Sequence, residues 1–176
     1  MKRIISLVFA TLLISTFSYS QNVLRSGLGF SIYNAGVDTR ELMIGPSLYG
    51  EYSYQLFPFL SLDCNLHTDL CLYGQKDGGF KGALGIRTLF RPFPNVKVLN
   101  RLFLGLGPSI EYRGYFNGNI QSASFLPGID FPVRLLLFSS EKFDLMAIYE
   151  PKTIFMKDNK YVWNYSNAGI LFGVKF

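Results

Sequence analysis

The stretch 169-GILFGVKF-176 closes the chain and indicates its fold. Apolar side chains stand at every second position, and glycine, leucine or lysine stands between them. A period of two indicates a β-strand with two different faces, because successive side chains of a strand point to opposite sides of the sheet. The apolar set is Ile170, Phe172, Val174 and Phe176.

The same alternation recurs in about eight segments of roughly ten residues, each bounded by turn residues, and no stretch sustains helical spacing. We predict strands at Val23–Tyr33, Leu42–Gln55, Phe59–Leu72, Phe80–Arg91, Arg101–Arg113, Ala123–Phe138, Phe143–Glu150 and Trp163–Phe176.

Charged residues within these segments occupy the parity opposite to the apolar set. The other positions on that parity are mostly glycine, serine or asparagine. The charged positions are Arg25, Glu51, Asp63, Asp69, Lys81, Arg87, Glu111, Arg113, Asp130, Arg134, Asp144, Glu150 and Lys175.

Two opposite barrels share this alternation. A soluble, lipocalin-like barrel has its apolar face inside, whereas a membrane barrel turns that face to lipid. A soluble exterior is about 25–35% charged, but the whole chain is only 16% charged and its polar face is rich in small residues. Small residues suit the interior of a narrow barrel. We therefore predict an all-β fold, an eight-stranded antiparallel up-and-down transmembrane β-barrel.

Aromatic residues near the strand ends favour the membrane interpretation, because aromatic belts mark the two lipid–water boundaries. One predicted rim carries Tyr33, Tyr73, Tyr112, Tyr115, Tyr149, Trp163 and Tyr165. The other carries Tyr54, Phe57, Phe59, Phe90, Phe93, Phe103, Phe138, Phe143 and Phe176.

Residues 1–20 have the pattern of a secretory signal peptide. Lys2 and Arg3 precede an apolar run over Ile4–Ile14 that is too short to span a bilayer, and Ser18-Tyr19-Ser20 suits cleavage before Gln21. The predicted mature domain is 21–176. Removal of Lys2 and Arg3 lowers the formal charge from +5 to +3. Without a basic cluster we expect no nucleic-acid partner.

The signal peptide, the eight alternating segments and the terminal Phe176 together resemble small bacterial outer-membrane β-barrels of the OmpX/OmpA-barrel kind, a porin-like β-barrel family. The resemblance implies a location in the bacterial outer membrane, contact with its lipid, and termini in the periplasm. It also implies that Phe176 belongs to the signal read by the barrel-assembly machinery.

That topology divides the connections between two sides. The implied periplasmic connections are Leu56–Pro58, Pro92–Asn100 and Ser139–Lys142. The implied external loops are Asn34–Glu41, Tyr73–Gly79, Gly114–Ser122 and Pro151–Val162. Because these external loops are short, we do not expect them to form a large lid over a ligand.

His67, the only histidine, shares the inward face with Asp69. Some barrels of this size are lipid A deacylases, and such an enzyme carries His and Ser two positions apart, where this chain has Asp69. We therefore interpret His67 as a residue of a polar interior and predict no catalytic, metal or cofactor site. Cys64 and Cys71 are seven apart, roughly 24 Å along an extended strand, so we expect two free thiols. A fold-back near Cys71 would allow a bridge.

The inward charges, six basic and seven acidic, are nearly balanced, so they can pair inside the barrel. We predict an interior charge network of Arg25, Glu51, Asp63, His67, Lys81, Arg87, Glu111, Arg113, Asp130 and Arg134. Its expected centre is Arg87, Arg134, Glu111 and Asp130, with Arg113 and Glu51 nearby. A selective pore would show an excess of one sign.

Three functions follow in order of preference. The first is a non-enzymatic barrel with a structural, protective or surface-adhesion role. The second is a small channel or transport barrel, for which Pro46, Pro108, Pro127 and Pro132 would mark irregular places in the strands. The third is a lipid A-modifying enzyme that uses His67. No specific protein or ligand partner is indicated.

Overall fold

The computed structural model describes residues 21–34, 42–73, 77–97, 99–117, 119–155 and 161–176. The predicted signal peptide lies outside these ranges. The strands are β1 Asn22–Asn34, β2 Leu42–Phe57, β3 Leu60–Tyr73, β4 Asp77–Phe90, β5 Leu102–Asn117, β6 Asn119–Asp130, β7 Val133–Ser139, β8 Phe143–Phe155 and β9 Tyr161–Lys175. A single turn of 3-10 helix covers Leu99–Arg101. Among the described residues, no helix is long and apolar enough to cross a bilayer.

The strands form one antiparallel ring. Strands β1 to β6 pair in chain order, β7 pairs with β8, β8 pairs with β9, and the last strand β9 pairs with the first strand β1. The segments β6 and β7 occupy one position in the ring, because both lie between β5 and β8. The ring therefore has eight positions, and the predicted eight-stranded antiparallel barrel is confirmed.

The sixth strand differs from its prediction as one continuous segment, because it is interrupted at Phe131 and Pro132. Proline has no N–H to donate to a ladder. The backbone still bonds both neighbours at the break: Phe131 N donates to Pro151 O over 2.9 Å, and Gly105 N donates to Pro132 O over 2.7 Å. Pairing resumes at Val133 without a change of register.

The strands extend into the connections predicted as external loops. Of the predicted loop Tyr73–Gly79, Tyr73 belongs to β3 and residues from Asp77 onward belong to β4. The predicted loop Gly114–Ser122 is mostly a hairpin in which Asn117 pairs with Asn119. The predicted loop Pro151–Val162 is strand at both ends, since β8 continues to Phe155 and β9 begins at Tyr161. Polar residues suggested loops here, but the inward parity of a barrel strand accepts polar residues, so the strands continue through them.

The outer surface of the ring is apolar. Most described leucine, isoleucine, valine and phenylalanine side chains predicted to face lipid are exposed by 40% or more, and Leu28 and Phe125 reach 68% and 73%. A soluble monomer rarely exposes an apolar patch beyond a few hundred Å². The outward parity is thus suited to a bilayer.

Aromatic contacts occur at both ends of the barrel, but one predicted belt member lies elsewhere. Phe57 stacks on Phe59, which meets the edge of Phe90, at centroid distances of 5.6 and 6.2 Å. On the other side Tyr112 lies 5.1 Å from Phe125. Phe103 was expected in the belt but lies on the inward parity of β5, where it packs against the interior. Tyr33, Tyr73, Tyr115, Trp163 and Tyr165 have side chains outside the described set.

The seam between β1 and β9 closes through glycines. Gly29 and Gly169 are directly opposite each other. A Cβ added at Gly29 would lie 2.3 Å from Ala168 O and 2.9 Å from Tyr49 Cε2. A Cβ at Gly169 would lie 2.5 Å from Leu28 O. The two strands and the Tyr49 ring therefore occupy the space that a side chain would need.

We predict that Gly29→Ala destabilises the barrel by about 1–3 kcal/mol, the usual effect of overpacking. Gly50→Ala is the matched control, because a Cβ at Gly50 would find its nearest atom 3.9 Å away. Boiled and unboiled samples on SDS gels, compared across increasing urea, would report the folded fraction. Equal urea midpoints for the two variants would contradict this account of the seam.

Candidate functional site

The interior of the ring is the candidate site, because it collects the charged side chains. Among the described residues, seven acids and five bases are buried to 6% exposure or less. The acids are Glu51, Asp63, Asp69, Glu111, Asp130, Asp144 and Glu150, and the bases are Arg25, Lys81, Arg87, Arg134 and Lys152. Burial of charge at this level requires pairing, since an isolated buried ion is strongly unfavourable.

Glu51 lies at the centre of this interior and contacts three arginines. Its Oε1 accepts from Arg25 Nη1 over 2.9 Å and from Arg134 Nη1 over 2.5 Å. Its Oε2 accepts from Arg87 Nη2 over 3.1 Å and also from Arg134 Nη2. Arg134 thus binds Glu51 as a two-pronged fork, the strongest geometry for such a pair. One carboxylate cannot neutralise three guanidinium groups, so each arginine needs a second acid.

Each arginine has that second acid. Arg134 Nη1 donates to Asp63 Oδ2 over 3.0 Å, and Arg87 Nη1 donates to Glu150 Oε1 over 2.7 Å. Arg25 binds Asp144 with two bonds, of 3.1 and 2.8 Å. The result is one continuous network of hydrogen-bonded ion pairs across the lumen.

Gly173 makes the pair of Arg25 and Asp144 possible. It stands in register between them, on the strand that separates theirs. A Cβ on Gly173 would lie 2.2 Å from Asp144 Oδ1 and 2.9 Å from Arg25 Cγ. The two long side chains therefore meet over a position that has no side chain of its own.

A second group of charges lies toward the end of the barrel opposite the chain termini. Lys152 Nζ is 3.2 Å from Asp130 Oδ1 and 3.8 Å from Glu111 Oε2. Lys81 Nζ is 3.1 Å from Asp69 Oδ2. Arg87 Nη1 lies 4.0 Å from Asp130 Oδ2 and links this group to the central one.

The structure brings several residues of the predicted centre together. Arg87 and Arg134 meet on Glu51, and Asp130 is within reach of Arg87. The contact described for Glu111 is with Lys152. The side chain of Arg113 lies outside the described set, and Lys175 lies at the rim that carries the chain termini, where its Nζ donates to Ser139 Oγ over 2.7 Å.

Lys152 is the functional residue that the sequence interpretation missed, because it was assigned to a loop. The signal was available: Asp144, Glu150 and Lys152 share one parity, and the alternation continues through Pro151. Treating Pro151 as the end of the strand removed Lys152 from the interior.

An apolar cluster completes the interior beside the charges. Buried Tyr49, Met146, Ile148 and Leu171 pack together, and half-buried Phe103 and Leu136 pack against them. The parity that carries charge elsewhere thus carries large apolar side chains here. Together the two groups supply most of the described side chains that are buried inside the ring.

His67 is buried, with Nε2 3.7 Å from Asp69 Oδ2 and its ring 6.0 Å from that of Tyr49. The described residues contain no cluster of three or more His, Cys, Asp or Glu suited to a metal ion. Cys64 is a free thiol on the exposed outer face. The side chain of Cys71 lies outside the described set.

Several solved structures resemble this one. Neisserial surface protein A matches with a TM-score of 0.60 at 16% identity, over 88% of this chain and 95% of that one. Ail, the attachment invasion locus protein of Yersinia pestis, matches with 0.57 at 13% identity, over 89% and 99%. The N-terminal β-barrel domain of Pseudomonas aeruginosa OprF matches with 0.55 at 16% identity, over 88% and 97%.

The chain has the fold of a small bacterial outer-membrane β-barrel. The resemblance expected from the sequence is thereby confirmed at the level of fold. No family model and no curated protein matches the sequence. The apolar exterior together with this fold places the barrel in the bacterial outer membrane.

We predict that Arg134→Ala destabilises the barrel by about 3–5 kcal/mol, because Glu51 and Asp63 would lose a fully buried partner. Arg101→Ala is the control, since Arg101 is exposed in the periplasmic turn. Urea unfolding in lipid vesicles, followed by tryptophan fluorescence, would measure the difference. A loss for Arg134→Ala no larger than that of the control would show that the network contributes nothing to stability.

Proposed function

We propose that this chain is a closed, non-catalytic outer-membrane barrel with a structural, protective or surface-adhesion role. The observation that carries the proposal is the filled lumen, in which Glu51 joins three arginines from three different strands. Ions crossing this section would have to break several buried ion pairs at once. A closed lumen leaves the two rims and the lipid-facing wall as the surfaces that can act.

The fold comparison supports the adhesive form of this role. One similar structure is that of a protein named for attachment and invasion. We extend that role to this chain as part of the proposal.

The alternative that the barrel is a channel can be tested by measuring whether ions pass through the lumen. We predict that purified wild-type protein in planar bilayers shows no steady conductance. The double variant Glu51→Ala with Arg134→Ala should conduct, because it empties the middle of the network. The matched control is Leu48→Ala, on the same strand but facing outward with 59% exposure. Steady, ion-selective conductance in the wild type would overturn the closed-barrel proposal and favour the channel.

No catalytic role is proposed for His67. Its described acid partner is Asp69, and both side chains belong to the buried ion-pair group with Lys81. In this proposal His67 is one of the polar side chains that fill the interior of the barrel.

We also propose that residues 1–20 direct export and that Phe176 is read by the barrel-assembly machinery. Phe176 is 68% exposed, and its backbone bonds Asn22 in both directions, at 3.0 and 3.2 Å. The aromatic ring is therefore free for recognition while its backbone closes the ring of strands.

We predict that Phe176→Ala lowers the amount of barrel in the outer membrane several-fold but leaves refolding of purified protein into detergent unchanged. Phe172→Ala is the matched control, because Phe172 lies four residues earlier on β9 and on the same outward parity, with 48% exposure. Fractionation of expressing cells measures the first quantity and the heat-dependent gel shift measures the second. Equal losses in cells for the two variants would remove the special role of Phe176.

A further inference from the structure

The periplasmic end of the barrel contains a cavity of about 110 Å³ that the closed-lumen proposal does not use. Its floor is the pair of Arg25 and Asp144, and its wall includes Arg91, Phe103 and Lys175. Because liquid water takes about 30 Å³ per molecule, the cavity holds the equivalent of three or four waters. This is room for a small ion of four or five non-hydrogen atoms.

The floor of the cavity is electrically satisfied. Arg25 donates to Asp144 twice, to Glu51 at 2.9 Å and to Ser53 Oγ at 2.5 Å. Its positive charge is therefore already matched by two carboxylates, and the floor adds no free charge to the cavity.

The wall differs from the floor, because its two cations have no acid. Among the described residues, no carboxylate lies within 4.0 Å of Arg91 or Lys175. Lys175 Nζ donates to Ser139 Oγ and to Ser140 O, both at 2.7 Å, and neither acceptor carries charge. The cavity thus has two unmatched positive groups in its wall.

Arg91 is held in position without using its guanidinium for a salt bridge. Its backbone N donates to Phe59 O over 2.8 Å. The guanidinium carbon lies 4.6 Å from the centre of the Phe103 ring, and the buried Nε has no hydrogen-bond partner. Burial lowers the pKa of Arg91, so the site favours a bound anion that would restore the balance of charge.

We propose that this periplasmic cavity binds a small oxyanion, a carboxylate or a phosphate, held by Arg91 and Lys175. Guanidinium forks match the geometry of both anions, and the lysine supplies a second positive charge. The apolar part of the wall, with Phe57, Leu60 and Met146, accepts a short apolar group attached to the anion. The ligand class is a compact periplasmic anion, and the site is separate from the external rim.

The test uses isotope-labelled protein in a nonionic maltoside detergent, which carries no phosphate of its own. Sodium phosphate and sodium acetate are titrated separately, with sodium chloride holding the ionic strength constant. Backbone amide signals of Gln55, Ser61 and Ser139, which line the cavity, should shift and saturate. The anion with the lower Kd identifies which of the two classes the cavity prefers.

Variants assign the binding to the proposed groups. Arg91→Gln and Lys175→Gln should each raise the Kd at least tenfold, and Phe103→Leu should raise it less. Arg101→Gln, an exposed arginine of the same turn that does not line the cavity, should leave the Kd unchanged. The heat-dependent gel shift confirms that each variant is folded.

Two results would overturn the proposal. One is a set of shifts that grow linearly with either anion and never saturate. The other is saturable binding that Arg91→Gln and Lys175→Gln weaken no more than Arg101→Gln does. Neither result bears on the conductance experiment, so the cavity can fail while the closed barrel stands.

Discussion

The pairing of β1 with β9 is the constraint on which the remainder of the structure depends. A bilayer offers no water to an unpaired N–H or C=O, so a sheet can cross it only as a closed ring. Closure converts the simple alternation of each strand into two surfaces with no edge between them. Every outward position then meets lipid, and every inward position competes for a lumen only eight strands wide.

The narrow lumen explains why glycine and charge occur together on one parity. Gly29 and Gly169 let the closing strands and the Tyr49 ring approach each other, and Gly173 lets Arg25 reach Asp144. Long charged side chains need empty neighbours in order to meet across the ring. Glycines therefore leave the space in which the charged side chains form their ion pairs, so glycine and charged residues pack together in the lumen.

The mixture of charge and apolar groups sets the balance between stability and closure. Replacing buried ion pairs by well-packed apolar residues is often neutral or stabilising, so ion pairs alone are weak evidence of stability. The lumen of the barrel contains both kinds of packing. Glu51 and its arginines form buried ion pairs, and the cluster around Met146 and Leu171 is apolar. A folding requirement alone would be met by the apolar solution. Its restriction to part of the lumen favours a specific role for the charged part, which is closure in our proposal.

Strand positions and faces could be predicted from the sequence because they depend only on a period of two. The lipid-facing set of β1, with Leu24, Leu28 and Phe30, needed no knowledge of any other strand. Partners within the lumen could not be predicted in this way, because they depend on the stagger between strands. Glu111 shares its parity with Arg87 and Arg134, but the register brings it to Lys152. The predictions for Phe103 and Lys152 were wrong for a related reason. An aromatic residue near a strand end usually belongs to an aromatic belt, and a lysine after a proline usually lies in a loop, but in the closed barrel both residues face the lumen.

The placement of Arg91 has an explanation in the same register. The last pair of β4 and β5 is Phe90 with Leu104, so continuing the ladder by one step places Arg91 opposite Phe103 on the inward face. The turn that follows supports its own backbone, since Asn100 N donates to Val96 O over 2.8 Å. Arg91 therefore reaches the Phe103 ring, 4.6 Å from its guanidinium carbon, because β4 and β5 keep their register to the end of the ladder. The arginine of the proposed anion site is thus placed by strand pairing and not by the turn, whose residues 92–97 and 99–101 do not line the cavity.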